Sequence, residues 1–383
     1  MDVLVVGAGI GGLALAGGLL DDGHRVRVIE AAPALRTGGA GVTIFSNGAA
    51  ALDGLGTPLP ASIGGRIDLL ESRHADGPTI ARVDLTVMRR RTGFPVVTVP
   101  REALIGLLAS RLPAGTVAFG RAARRVDVEP APPGHPVTVV DECGDTHTAD
   151  VLVGADGQRS AVRRGVLGGE PATEVGWTTW QGLTPILPGL AGGSTALLVV
   201  GPAGLVGLMP AGNGLLQWWF DVEGPLPDGP TAAALARRFA GYAAPVPELL
   251  GAITDADLGR YPHVLHAVPD AWGRGPATLV GDAAHAFPPS QAQGANQALE
   301  DAWLLRRALA GGGDPGARLR RYERLRAVRV RRVSRMAARE TTNRPPALPV
   351  RLATRLVPAR LAGGGYTALI RRFSSVLAGE RIG

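Results

Sequence analysis

Apolar positions along the 383-residue chain follow two regimes: continuous runs joined to helix-period segments, and short strands broken by glycine and proline. Val3-Leu4-Val5-Val6 is apolar throughout, too short for a helix and followed by glycine, so it reads as a strand buried on both faces. A glycine turn over 7–12, a helix pattern over 13–20 and a strand over 25–30 complete a βαβ opening. Residues 50–55 continue a helical pattern, 68–87 alternate as two strands around Ala75-Asp76-Gly77-Pro78, and 101–112 form a helix. Strands are expected over 117–128 and 137–140, joined by a tip at Pro130-Ala131-Pro132-Pro133-Gly134, and again at Val151-Leu152-Val153. From about 173 to 266 short strands with Gly and Pro turns and one helix near 232–242 predict a second, sheet-based unit. The α/β character returns with a strand at 278–280, a helix at 295–310 and an arginine-rich helix at 317–340. Two short basic amphipathic patterns over 348–377 flank Gly363-Gly364-Gly365.

Composition narrows the partners. At 45% hydrophobic and 19% charged residues the chain has the balance of a soluble globular protein with room for two cores. Its net charge of +7 comes from arginine alone, since no lysine occurs, and it accompanies 55 Gly and 31 Pro. That pattern is a bias of composition, and no nucleic acid partner is inferred from it, although anionic cofactors would feel a mild attraction. Cys143 is the single cysteine and sits among Asp141, Glu142 and Asp145, where a thiolate is disfavoured. An intramolecular disulfide and a cysteine zinc site are excluded, no metal site is expected, and a reducing, cytoplasmic setting follows. The opening strand lacks a basic stretch before it and is not read as a secretory signal. The charge-free stretch 175–220 is interrupted by Gly, Pro, Thr and Gln, so it reads as buried sheet and no membrane insertion is expected.

Three motifs carry chemistry. Gly7-Ala8-Gly9-Ile10-Gly11-Gly12 is a G-x-G-x-x-G between strand and helix, where Gly7 allows a tight turn, Gly9 admits a pyrophosphate to the backbone and Gly12 lets helix and strand pack closely. Glu30, at the end of the next strand, is placed to accept hydrogen bonds from an adenosine ribose, which suits FAD or NAD. The second motif ends a strand in Gly154-Ala155-Asp156-Gly157 and continues to Ser160 and Arg163. The third is Gly281-Asp282-Ala283-Ala284-His285, followed by Pro289-Ser290-Gln291-Ala292-Gln293-Gly294-Ala295-Asn296 and Glu300-Asp301. Gly201-Pro202-Ala203-Gly204 superficially suggests a second nucleotide loop, but no helix pattern follows it and a hairpin turn is expected.

In this order the motifs resemble those of the single-component (class A) FAD-dependent monooxygenases similar to para-hydroxybenzoate hydroxylase, over nearly the whole chain to about residue 340. The resemblance implies an α/β fold: a Rossmann-like FAD-binding domain (1–70, 101–165 and 270–345), an inserted mixed β-sheet substrate domain (71–100 and 166–269) and C-terminal helices (346–383). It implies a bound FAD, NADPH or NADH as transient reductant, and O2 as the source of an oxygen atom that hydroxylates or epoxidises a small apolar, aromatic or polyketide-like molecule. FAD contacts would come from Gly7, Gly9, Gly11, Gly12, Glu30, Ala31, Thr43, Arg101, Val126, Asp156, Asp282, Gly294, Ala295 and Asn296. Where the family carries a glycine in P-x-x-G-Q-G this chain has Ala292, which is strained if that position needs a positive φ.

No catalytic base stands out; Gln217, Trp218 and His263 are the candidates, with a satisfied core histidine as the competing reading of His263. Substrate contacts are expected from Leu205, Gln217, Trp219 and Pro289, with Trp218 and Trp219 facing opposite sides of their strand. The layout is similar to FAD-dependent urate hydroxylases, but Leu205 and Gln217 stand where those carry an Arg and a Tyr, which argues against a purine. A monomer or homodimer is expected. Two other readings stay open: a flavin-dependent oxidase or redox-neutral flavoenzyme of natural-product biosynthesis, and a protein that binds nucleic acid or anionic membrane through the arginine-rich helix.

Overall fold

The run Val3-Leu4-Val5-Val6 has no polar side chain to offer solvent, and the fold buries it completely. The computed structural model describes residues 1–36, 40–128, 137–169, 171–229, 231–339 and 341–381; the expected tip at 130–134 lies outside them. Asp2–Val6 sits in the middle of a five-stranded parallel sheet, ordered Ala277–Leu279, Val151–Gly154, Asp2–Val6, Arg25–Glu30, Val117–Phe119. The helices Ile10–Asp21, Gly294–Leu309 and Pro315–Ala337 join it in one hydrophobic core that includes Leu13, Leu304 and Tyr322.

A seven-stranded mixed sheet forms a second layer, ordered Gly259–Leu265, Thr173–Thr184, Leu215–Glu223, Gly204–Gly212, Thr195–Gly201, Leu69–His74, Thr79–Asp84. Gly201 and Gly204 face each other across the hairpin between two of these strands, so the second glycine-rich stretch is a turn. One face of the sheet, with Trp218, Phe220 and Leu208, packs under Thr231–Arg238 and Val246–Ala252. Strand Val96–Pro100, flanked by Gly41–Ile44 and Gly65–Ile67, forms a small antiparallel sheet between the two layers.

The expected single strand over 117–128 is two. Gly120 adopts φ 67° and turns the chain, so Val117–Phe119 ends the parallel sheet while Ala123–Asp127 pairs with Val137–Asp141. The arginine-rich helix is also more internal than an arginine face suggests. Arg318 donates to the Leu309 and Gly313 carbonyls, and Arg320 pairs with Glu323, Arg326 with Asp301, Arg329 with Glu380 and Arg331 with Asp270. These five arginines are engaged within the molecule, while Arg321, Arg324, Arg332 and Arg335 on the same helix are exposed. No helix among the described residues is long and apolar enough to cross a membrane.

Candidate active site

Strand-to-helix turns at the C-terminal edge of the parallel sheet leave a cleft of about 310 Å³, lined by Gly7, Gly9, Glu30, Ala31, Arg101 and Asp156 among others. The glycines divide the work by what surrounds them. A Cβ on Gly7, at φ 107°, would lie 2.4 Å from the Ala155 carbonyl oxygen, and one on Gly12 would lie 2.1 Å from the Gly7 oxygen. A Cβ on Gly9 would meet nothing within 4 Å, so open space begins there, at the start of helix Ile10–Asp21. Gly11 faces away, toward Ala298 of helix Gly294–Leu309. Glu30 is fixed at the cleft by the Ala8 and Ala32 N–H groups, at 2.7 and 2.9 Å. Arg36, Arg101, Arg121, Arg159 and Arg164 also line the cleft, a basic set that suits a pyrophosphate. A helix N-terminus, a glycine beside free space, an acid at the ribose end and a cationic wall together fit an adenine dinucleotide. Val126 is not part of that wall: its side chain packs on Gly165, and Arg121, Ala122 and Ala123 take the lining positions instead.

The second and third motifs are bolted together. Asp156 accepts the N–H groups of Ala161 and Val162 at 2.7 and 3.2 Å, so it starts helix Ala161–Leu167, and burial raises its pKa despite the Ser160 hydroxyl. From that helix Arg163 donates to the Ala283 and Ala284 carbonyls at 3.1 and 2.7 Å. Asp282, the residue before Ala283, is exposed at its surface, and the protein packed around it raises its pKa against the pull of His285 and Arg101. Behind Asp282, the Gly281 N–H donates to Asp301 at 2.8 Å, and Asp301 also meets His285 Nε2 and Arg326 Nε, each at 2.6 Å. Burial alone would raise the Asp301 carboxyl, but His285 and Arg326 outweigh it and hold it below the usual range. Asp301 and Arg163 both stand in the motifs read from the sequence, but the bonds by which they build the site, to the Gly281 turn and across to the Ala283 and Ala284 carbonyls, are set by the fold.

Past the third motif, Ala292 adopts φ 48° and ψ 31°, the left-handed conformation in which alanine in place of the family's glycine is strained. Asn296 holds this loop: Nδ2 donates to the Ala292 and Thr43 carbonyls at 2.8 and 3.0 Å, and Oδ1 accepts the Phe45 N–H at 2.9 Å. Its side chain is therefore a latch, and only the backbone around Gly294 and Ala295 faces outward; a Cβ on Gly294 would meet nothing within 4 Å. The Thr43 hydroxyl turns inward, to Met209 Sδ at 3.2 Å and Thr98 Oγ1 at 3.3 Å.

Pairing registers assign the substrate candidates to faces. Leu205 opposes Asp221, Gly207 opposes Trp219 and Met209 opposes Gln217, so Leu205, Gln217 and Trp219 share the face opposite to Trp218. That face meets the loop of Ala292 in an apolar layer containing Phe45, Met209, Phe287, Leu265 and Tyr366. Gln217 Oε1 is buried there without a partner. Trp218 is fully buried on the far side and donates to Thr184 Oγ1 at 2.9 Å, so it is not available to a substrate. His263 lies inside the sheet with Thr179 Oγ1 at 2.7 Å and Asp221 at 3.5 Å, a satisfied core histidine. Pro289 is exposed. Tyr366, which the sequence did not single out, comes from helix Ala359–Phe373 and stands edge-on to Phe45 with ring centres 5.8 Å apart; burial pushes its pKa up to about 12.

Comparison with known proteins agrees with this architecture. The chain is 37% identical over 350 residues to the 3-amino-4-hydroxybenzoate 2-monooxygenase PtmB3 of Streptomyces platensis, covering 87% of this chain and 86% of that one. It is 33% identical to the aurachin C monooxygenase/isomerase of Stigmatella aurantiaca, with 88% and 87% covered. The structure of Klebsiella pneumoniae HpxO complexed with FAD and uric acid superposes with a TM-score of 0.83 at 29% identity, over 99% of this chain and 95% of that one. The FAD binding domain family matches residues 1–337, so the chain belongs to that family and, within it, to the class A FAD-dependent aromatic monooxygenases.

Proposed function

We propose that this protein hydroxylates a small, largely apolar aromatic molecule that carries at least one hydrogen-bond donor. The observation that carries the reading is the unpartnered Gln217 Oε1, buried against Gly41 and opposite Met209, on the sheet face that also carries Trp219. An amide oxygen left without a donor in such a place costs about 1–3 kcal/mol, and a substrate hydroxyl or amine would satisfy it. FAD, when bound, supplies the redox chemistry, accepting a hydride from NAD(P)H and activating O2 for transfer of one oxygen atom. The chain's own part is to hold and to shield. The helix start at Gly9 and the cleft arginines would take the pyrophosphate, Glu30 the ribose and Asp282 the ribityl hydroxyls. The helix Gly294–Leu309 would direct the positive end of its dipole at the flavin ring. Trp219 lies over Gly207, where any side chain would collide with the indole, and it supplies a flat wall for an aromatic ring. Tyr366, kept protonated by burial, is a donor and not a base.

Leu205 gives a purine no charged partner, so urate turnover is not expected. The 1–70, 101–165 and 270–345 segments as FAD-binding domain, with 71–100 and 166–269 as substrate domain, belong to the same proposal. So does a cytoplasmic setting, which suits a chain whose one cysteine, Cys143, is free and exposed.

The test is the visible spectrum of the FAD-loaded protein mixed with NADPH or NADH and a panel of aminophenols, hydroxybenzoates, hydroxyquinolines and urate. Flavin bleaching accelerated by one phenolic class, with an oxygenated product, supports the proposal. Acceleration by urate alone, or reduction indifferent to every aromatic, overturns it.

A further inference from the structure

Among the described residues, Leu348–Arg355 is the one α-helix that buries no side chain. It lies along the edge strand Thr79–Asp84, and the contact is polar, with Thr354 Oγ1 donating to the Ile80 carbonyl at 3.1 Å. Its leucines point outward. Leu348, Leu352 and Leu356, spaced four residues apart along one side, are 61%, 56% and 84% exposed, and Leu361 in the first turn of Ala359–Phe373 is 68% exposed; Val350, on the other side of the helix, and Val357 are exposed too. A helix on the surface of a soluble protein is built the other way round, with the apolar stripe facing the core. Four exposed leucines within fourteen residues need a cover.

Charge decides which cover fits. Between residues 341 and 379 arginine is the only charged residue type. Arg355 is exposed, Arg351 is half-buried, and Arg360 reaches no nearer than 3.8 Å to Asp84 with its side chain 85% exposed. In a two-fold dimer built on this patch the same surface meets itself and brings these arginines together. An anionic bilayer complements both properties: leucines enter the boundary between headgroups and acyl chains while arginines meet lipid phosphates.

We propose that Leu348–Arg355 and the first turn of Ala359–Phe373 dock the protein on the surface of an anionic membrane, lying in the interface without crossing it. The second of these helices carries Tyr366 to Phe45, so docking sets the wall of the apolar layer beside the lipid surface and opens a route for apolar substrates from the bilayer. That route rests on the proposed function; the docking does not.

The experiment is co-sedimentation of the FAD-loaded full-length protein with phosphatidylcholine vesicles and with vesicles that also contain phosphatidylglycerol, at low and high salt. Two or more arginines at the surface predict a partition roughly tenfold or more in favour of the anionic vesicles, falling with salt. L352E/L356E removes the binding and leaves the flavin spectrum and NAD(P)H oxidation unchanged, which shows the fold intact. Equal partition to both vesicles overturns the proposal. So does a concentration-dependent dimer that L352E/L356E abolishes in the absence of lipid. Loss of lipid binding with aromatic turnover intact, or the reverse, separates this inference from the proposed function.

Discussion

Single residues in this site give up conformational or protonation freedom for position. Ala292 holds a left-handed φ of 48°, which costs an L-residue about 1–2 kcal/mol, while glycine there loses about 0.5–1 kcal/mol in chain entropy. A292G is therefore expected to stabilise the protein by up to about 1 kcal/mol, and A292V, β-branched in the same conformation, to destabilise it by more. Chemical unfolding of both variants reads this, and equal stability of all three proteins would show that the loop relaxes freely. His266 gives a pH signature. Burial, reinforced by Arg163 and His285, lowers its pKa to about 4, and its Nε2 has no partner. The unfolded chain takes up a proton near pH 6.5 that the folded chain refuses until about pH 4. Stability is thus full above pH 6.5 and falls through that window by roughly 3 kcal/mol, since the unfolded state binds more protons. H266N should flatten the slope between pH 6.5 and 4, measured by urea unfolding at fixed intervals. Ala292 was readable from a motif position; the shift of His266 was not, because it is made by Gln158, Arg163 and His285, from two distant segments.

Elements were legible where their signals are local. The βαβ opening follows from one apolar run and a glycine spacing, and the hairpin at Gly201 and Gly204 from two turn residues. Strand 117–128 was misread because Gly120, not the apolar pattern, decides where it breaks. The arginine-rich helix was legible, but its internal pairs were not, because Asp301, Asp270 and Glu380, which pair with it, carry no sequence mark of doing so. The junction of helix Gly294–Leu309 with strand Gly41–Ile44 rests on one amide. N296A deletes three hydrogen bonds and leaves an N–H and two carbonyls without that partner, so a loss of about 3 kcal/mol is expected. N296D keeps the acceptor for Phe45 but sets a carboxylate oxygen against two carbonyls, and should be no better. Because the latch fixes the helix start proposed to face the flavin, FAD affinity should fall with stability in both variants, as fluorescence titration would show. Undiminished affinity in a destabilised N296A would detach the latch from the flavin site.

At the scale of the molecule, the parallel sheet, the third motif and the C-terminal tail are joined through one buried cation. Arg326 is fully buried, 2.6 Å from Asp301 and 3.5 Å from Glu300, while Glu300 accepts the backbone N–H groups of Ser375 and Val376. Burial raises the Glu300 carboxyl even against Arg326, so without that cation its charged form is harder still to keep. A chain that ends in an amphipathic tail thereby feeds that tail back to the Gly281 turn through Asp301. R326Q leaves two buried carboxylates facing a neutral amide, and the expected cost is about 3–5 kcal/mol, the penalty for stranding a buried charge. E300Q, which keeps an acceptor for the tail N–H groups and removes a charge, should cost much less. D301N/R326Q should recover part of the R326Q loss, because it removes the stranded carboxylate, yet still bind FAD weakly, because Gly281 and His285 lose a charged anchor. Thermal unfolding and FAD titration of the three variants separate the contributions. If R326Q unfolds like the parent, the cation is replaceable by water and the tail is not coupled to the flavin site; if only FAD affinity falls, the coupling is local to Asp301 and the tail is a bystander.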